Sequence, residues 1–259
     1  MVRARKRFGQ HFLHDAHVID QLCLRIQAYP DDRLVEIGPG LGALTTALLP
    51  ISKKMDVIEI DRDLIPKLRA RCAKLGELHI HEMDALECDF SVFAQEKKIR
   101  VVGNLPYNIS TPLLFHLFTY IDYIKDMYFM FQKEVVDRLA APVATADYGR
   151  LSVMAQYYCD VEPLFSVSAD AFLPSPKVES AVLRLVPKKP TLVANNLVNL
   201  KKVVATAFQQ RRKTIRNSLK NMIAAERLSA LDIDPNLRPA DLTVDNYVRI
   251  SNTMEKEKE

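Results

Sequence analysis

Between residues 33 and 131, short apolar runs alternate with stretches of helical spacing, and no other feature of the chain restricts its fold as strongly. Leu34–Ile37 and Met55–Ile60 read as buried strands. Helical spacing from Leu41 to Leu49 lies between them, and a second helix through Leu64, Leu68 and Cys72 follows. Leu78–His81, Ile99–Val102 and Tyr128–Phe131 continue the strands, and Thr111–Tyr120 continues the helices. Strands this short and this apolar need cover on both faces, which the intervening helices supply. The expected fold is α/β, a doubly wound parallel sheet. Val178–Val186 reads as a further strand of the same domain, Pro187–Pro190 as a hinge, and Leu192–Asn252 as nearly all helical. The expected domains are therefore 1–188 and 189–259, the second small and helical, with Glu255–Glu259 a charged, frayed tail.

A chain of 259 residues, 48% hydrophobic and 26% charged, has the material for such a core. Cys23, Cys72, Cys88 and Cys159 are far apart and form no CxxC pair, so neither a disulfide framework nor a zinc knuckle is indicated. The basic start is interrupted by His14, Asp15, His17 and Asp20 and has no signal-peptide core. No apolar run approaches the roughly 20 residues that span a bilayer. A cytoplasmic protein is expected.

Doubly wound sheets bind ligands beyond the carboxyl ends of their strands. Glycine is scarce, with seven in the chain, yet three fall in Glu36-Ile-Gly38-Pro-Gly40-Leu-Gly42, after the first strand of the alternation. Glycine there lets backbone approach a ligand at a helix amino terminus. The spacing is GxGxG rather than GxGxxG, no GK[ST] follows, and Pro39 removes an N–H that a pyrophosphate would use. The loop suits a nucleoside without phosphates. Glu59 ends the next strand, where a carboxylate grips ribose hydroxyls, and Asp84 follows the third, where it can accept from an adenine amino group. S-adenosylmethionine is the cofactor that fits.

Asn104-Leu105-Pro106-Tyr107 leaves the Ile99–Val102 strand. The Asn side-chain oxygen and the Leu carbonyl both accept hydrogen bonds, Pro fixes the turn, and Tyr offers a stacking face, a set suited to a flat base bearing an amino group. His11, His14 and His17 share a three-residue spacing but lack the thiolates or carboxylates of a metal site, so no metal is expected. The net charge of +4 is unevenly spread: no acid lies between Glu179 and Glu226, an interval carrying Arg184, Lys188, Lys189, Lys201, Lys202, Arg211, Arg212, Lys213, Arg216 and Lys220. With Arg3, Arg5, Lys6 and Arg7 at the start, such surfaces hold a polyanion such as RNA by neutralising phosphates.

Phe8–Leu13, Glu36–Gly42, Val57–Asp61, Asp84-Ala85, Asn104–Pro112, Gln132–Val135, Tyr148–Ser152, Phe172–Val178 and Phe208–Leu219 together resemble, in order and nearly end to end, the KsgA-type ribosomal RNA small-subunit (16S) adenine dimethyltransferases. The resemblance implies a Rossmann-like class I methyltransferase sheet with a small all-helical carboxyl-terminal domain. It implies dimethylation, from S-adenosylmethionine, of two adjacent adenines near the 3′ end of 16S rRNA in the assembling 30S subunit, by a monomer. By position, His11, Leu13, Gly38, Gly40, Glu59, Asp84, Ala85 and Asn104 would line the cofactor pocket. Asn104, Leu105, Pro106 and Tyr107 would act on the base, with Phe172 against its opposite face. Arg5, Lys6, Arg7, Arg211, Arg212, Lys213, Arg216 and Lys220 would hold RNA. The chain departs from the family at His11, where Asn is usual, and at Met83, where Gly is frequent. The alternatives are a 23S rRNA adenine methyltransferase of the antibiotic-resistance type, a DNA adenine methyltransferase, and a non-catalytic RNA-binding assembly factor.

Overall fold

The computed structural model describes residues 10–106 and 109–254. A two-residue strand, β1 (Phe12–Leu13), precedes helix α1 (Ala16–Ile26). Asp15 starts that helix by accepting from the N–H groups of His17 (2.8 Å) and Val18 (3.2 Å). Gln27, in the left-handed region, ends it with its N–H on the Cys23 carbonyl. The alternation follows as β2 (Arg33–Ile37), α2 (Ala43–Ser52), β3 (Lys54–Glu59), α3 (Ile65–Cys72), β4 (Glu77–Glu82), β5 (Ile99–Asn104), α4 (Ser110–Leu117) and β6 (Ile124–Gln132). Then come α5 (Lys133–Ala140), α6 (Arg150–Tyr158), β7 (Cys159–Val167), β8 (Phe172–Leu173) and β9 (Ser180–Pro187). Helices α7 (Leu197–Gln209), α8 (Ile215–Ser218), α9 (Ala225–Ser229) and α10 (Val244–Asn252) complete the chain.

Seven strands form one sheet in the order β4-β3-β2-β5-β6-β9-β7. The first five are mutually parallel. Strands β2 and β5 are buried almost throughout, as parallel strands covered on both faces must be. The sheet is not wholly parallel: β9 runs antiparallel to β6, with Met127 opposite Leu185 and Gln132 opposite Ser180. Between β7 and β9, neighbours in the sheet, lies no helix longer than a single 3₁₀ turn, so these two lack the crossover that a parallel pair requires. Strand β7 lies at the edge and carries Pro163, which an edge strand tolerates.

Strand β1 pairs antiparallel with β8 in a separate two-stranded sheet, Phe12 opposite Leu173 and Leu13 opposite Phe172. The His14 N–H extends that pairing onto the Ala171 carbonyl at 3.0 Å. The core cluster packs Leu34, Met55, Val57, Val102 and Met130 of the sheet with Leu22 and Ile26 of α1, Leu48 of α2, Leu68 of α3 and Phe172 of β8. At the amino ends of β5 and β6, Arg100 is 4% exposed and uses all five guanidinium N–H groups. Nε and Nη2 donate to the Asp126 carboxylate at 2.8 and 3.0 Å. Nη1 donates to Asp32 (2.7 Å) and the Gln27 carbonyl (3.2 Å), and Nη2 also to the Ile26 carbonyl (2.6 Å).

Contacts divide the chain into two units. One runs up to Val136 and resumes over Glu162–Pro187; the other comprises Asp137–Val161 and the residues described from Lys188 onward. The division after Pro187 leaves Lys188 onward in the helical unit, which also takes in 137–161. Within it, Gln156 donates to the Leu139 and Ala141 carbonyls, and the Tyr157 hydroxyl accepts from the Ala194 N–H at 3.1 Å. The Phe208 ring lies between those of Tyr148 and Tyr247, and the Tyr247 hydroxyl donates to the Pro239 carbonyl at 2.7 Å. Among the described residues, no helix is long and apolar enough to cross a membrane.

Candidate active site

Strand order reverses at β2, which has β3 on one side and β5 on the other. A crevice forms beyond the carboxyl ends of strands at such a point. Here it is a cavity of about 310 Å³, walled by residues that follow or end β2, β3, β4 and β5 and by the segment 10–13. His11, Leu13, Gly38, Gly40, Glu59, Asp84, Ala85, Asn104, Leu105 and Pro106 all lie on its wall. Tyr107 is outside the described residues.

All three loop glycines have positive φ, at +66° (Gly38), +58° (Gly40) and +79° (Gly42), a region that L side chains rarely adopt. They differ in what surrounds them. A Cβ on Gly42 would lie 2.6 Å from Leu68 Cδ1, so this glycine admits α3. A Cβ on Gly38 would meet nothing within 4 Å and would project into the space of the cavity.

Glu59 is 4% exposed. Its two oxygens accept from the N–H groups of Gly40 (3.0 Å) and Asp61 (2.8 Å), which ties the end of β3 to the glycine loop. The carboxylate retains acceptor capacity for a ligand hydroxyl. Burial raises the Glu59 pKa, and those backbone donors oppose the rise. Asp84 forms a turn, its carboxylate accepting from the Leu86 N–H at 2.9 Å. Gln10 donates to Asp61 at 2.9 Å, holding the amino-terminal segment across the mouth of β3.

Asn104 ends β5 and donates from Nδ2 to the His11 carbonyl at 3.0 Å. A carbonyl only accepts, so the amide orientation follows, leaving Oδ1 as an acceptor at the cavity wall. No described donor takes the Leu105 carbonyl. The Pro106 carbonyl accepts from the Ile109 N–H and the Ser110 hydroxyl, both at 3.2 Å, which anchors the turn into α4.

Phe172 departs from expectation. It is 1% exposed within the core cluster, does not wall the cavity, and offers no face to a base; Leu173, one residue on, is the exposed one. The β1–β8 register turns Phe172 inward, as alternation along a strand requires. Arg211 also departs: its guanidinium donates to the carbonyls of Ala146 and Tyr148 and so braces the helical unit. Arg212, Lys213, Arg216 and Lys220 are exposed around α8 with no acidic partner among the described residues, while Lys188 pairs with Asp160 at 2.9 Å and Arg184 with Glu162 at 3.5 Å. Arg5, Lys6 and Arg7 lie outside the described residues.

Several wall residues carry no sequence signal as ligand contacts. Ile60, Met83, Leu41 and Met130 supply apolar surface, and Glu36 lies beneath the loop it begins. Glu36 is 2% exposed and accepts from the Thr45 hydroxyl at 2.6 Å. Burial, with the charge of Glu59 adding to it, raises its pKa from 4.5 to about 7 against that hydrogen bond. The folded state therefore binds a proton at Glu36 between those values that the unfolded state has released, and stability falls as pH rises through this window. The ionised carboxylate costs about 3 kcal/mol at pH 8. Glu36→Gln is expected to flatten stability between pH 5 and 7.5 and to raise it at pH 8, read by urea unfolding at each pH. An unchanged slope would contradict the assignment.

The cavity suits an adenosine without phosphates. Its wall carries Glu36, Glu59 and Asp84 and, among the described residues, neither Lys nor Arg to neutralise a phosphate. The absent Cβ of Gly38 leaves room for a close-lying ligand. Comparison with known proteins agrees. The family model for ribosomal RNA adenine dimethylases matches residues 1–256. The chain is 52% identical over 253 residues to a ribosomal RNA small subunit methyltransferase A of Marinobacter nauticus, covering 97% of this chain and 92% of that protein. Among solved structures it is similar to a dimethyladenosine transferase from Plasmodium falciparum, with TM-score 0.81, 27% identity, and 93% of this chain and 96% of that one covered. It is also similar to the 23S rRNA methyltransferase ErmE, with TM-score 0.73, 25% identity, and coverage of 95% and 100%. On the full-length family match and the close relatives, the chain belongs to the ribosomal RNA adenine dimethylase family.

Proposed function

We propose that Asn104 and the Leu105 carbonyl receive the amino group of each target adenine, and that the assembling 30S subunit in the cytoplasm presents it to a monomeric enzyme. The activity is S-adenosylmethionine-dependent dimethylation of the exocyclic amino groups of two adjacent adenosines near the 3′ end of 16S rRNA. The observation that carries the site assignment is the Asn104–His11 hydrogen bond, which leaves the Asn104 oxygen as an acceptor at the cavity wall.

Gly38, Gly40, Glu59, Asp84 and Ala85, with Leu13, would hold S-adenosylmethionine. When bound, it supplies a methyl group carried on a sulfonium. Adenine's amino nitrogen is a poor nucleophile because its lone pair is delocalised into the ring. Two acceptors, Asn104 Oδ1 and the Leu105 carbonyl, draw the amino group toward tetrahedral geometry and localise that pair. The proton is lost after the new bond forms, so no strong base is required. Tyr107 would stack on the extruded base, a contact of roughly 1–3 kcal/mol. Positioning by the strand ends and exclusion of water supply most of the rate. The basic residues around α8, Arg212, Lys213, Arg216 and Lys220, would hold rRNA phosphates, so affinity would fall steeply with salt.

Transfer of labelled methyl groups to immature small subunits and to naked 16S and 23S rRNA, with the modified nucleoside identified, tests this reading. Dimethyladenosine is expected in 16S rRNA of the immature subunits; label confined to 23S rRNA would overturn it. The glycine loop provides a second check. Gly38→Ala is expected to weaken S-adenosylhomocysteine binding more than about tenfold in calorimetry, because its methyl group occupies ligand space, while left-handed strain of roughly 1–2 kcal/mol lowers folding stability. Gly42→Ala should chiefly lower the melting temperature, through its clash with Leu68.

A further inference from the structure

The residue that orients Asn104 also holds the loop from which Phe172 was expected to reach the base. His11 Nδ1 lies 2.6 Å from the Pro174 carbonyl, and since a carbonyl only accepts, Nδ1 carries the proton. Three contacts thus join segment 11–14 to segment 171–174: this bond, the β1–β8 pairing, and the His14 N–H on the Ala171 carbonyl. The same segment carries the His11 carbonyl that accepts from Asn104. Beyond it, the loop turns Leu173 (68% exposed) and Val178 (45% exposed) outward, on either side of exposed Lys177.

We infer that the His11 side chain is a positioning residue, locking the 171–174 segment to the backbone that aims Asn104, so that this segment and the acceptor for the adenine amino group move as one body. The inference rests on the role proposed above for Asn104. It assigns the two halves of His11 separate tasks. The carbonyl aims the amide, and the ring fixes where the carbonyl stands.

The chemistry of the donor makes this testable. In Asn, Nδ2 is bonded to Cγ as Nδ1 is in His, so Asn at position 11 places an N–H donor the same number of bonds from the backbone. Alanine removes the donor and keeps the carbonyl. His11→Ala is expected to lower kcat for methylation of immature small subunits at least tenfold, with S-adenosylhomocysteine affinity within threefold of the parent. It should also speed hydrogen exchange at the amides of residues 171–173, 175, 177 and 178. His11→Asn should restore both kcat and exchange to within about threefold. The S-adenosylhomocysteine titration also reports that each variant is folded. The inference falls if His11→Ala keeps parental kcat and exchange, or if His11→Asn fails to rescue. It falls equally if cofactor affinity drops in proportion to kcat, which would make the ring a cofactor contact. Failure of the parent protein to modify 16S rRNA would instead count against the proposed function.

Discussion

Asn104→Ala abolishes detectable methyl transfer, with kcat falling by about 10²–10³-fold or more, while S-adenosylhomocysteine and rRNA affinities stay within a few fold. The magnitude is that of removing one preorganised polar partner from the reacting atoms. Two losses combine in this variant: the acceptor for the amino group disappears, and the His11 carbonyl loses its Nδ2 partner. Asn104→Asp removes only the Nδ2 donor. It keeps an oxygen on the cavity side but turns the other oxygen toward the His11 carbonyl, so two acceptors face each other and the side chain swings away. It too should be nearly inactive. Single-turnover transfer with saturating cofactor and immature subunits measures both variants, and normal methylation by either would refute the role given to the amide.

The second large effect is on stability. Asp126→Ala is expected to destabilise the protein by about 3–5 kcal/mol, because it leaves the buried Arg100 guanidinium with Nε and one Nη2 hydrogen unsatisfied. Burial disfavours the charged form of Arg100, but the hydrogen bonds to Asp126 and Asp32 outweigh it and raise its pKa. Removing one of those partners exposes the desolvation cost without its compensation. Replacing both residues, as Arg100→Met with Asp126→Leu, should recover much of the loss, since a packed apolar pair carries no such cost. Urea unfolding of the two variants decides it. A loss below about 1 kcal/mol for Asp126→Ala would mean that water or Asp32 makes up the difference. The cluster sits at the opposite end of β5 from Asn104, so residual folded protein should retain its site.

Much of the site was legible because a parallel sheet brings its strand ends to one edge. Gly38, Glu59, Asp84 and Asn104 are scattered over 67 positions of sequence, yet each follows or ends a strand, and topology alone puts them around one crevice. What failed to show has physical causes. Strand β7 is an edge strand with Asp160, Glu162 and Pro163, so it lacks an apolar run or a clean alternation. Strand β8 is two residues long, too short for a period that would tell Phe172 from Leu173. Arg211 sits in a block of like charges, and only the fold reveals that its guanidinium is spent on carbonyls more than 60 residues away. Residues 137–161 join the helical unit through long-range contacts, such as the Arg211 bonds to the Ala146 and Tyr148 carbonyls, the Ala144 N–H on the Ala240 carbonyl and the Tyr148 ring against Phe208, which leave no local pattern.

The pairing of β1 with β8 bears on how the protein is made. His11 and Pro174 are 163 residues apart in sequence, so the strand synthesised first cannot be seated until its partner has left the ribosome. At roughly 5–20 residues per second, that is an interval of about ten to thirty seconds. Strands β2 to β6 can assemble in the meantime, since their pairings are closer in sequence and have smaller loop-closure costs. Translation therefore builds the cofactor crevice with one side open, and closes it only when residues 171–174 arrive. A nascent chain stalled before that point would hold a formed sheet and an unaimed Asn104, and would gain methyl-transfer competence in one late step.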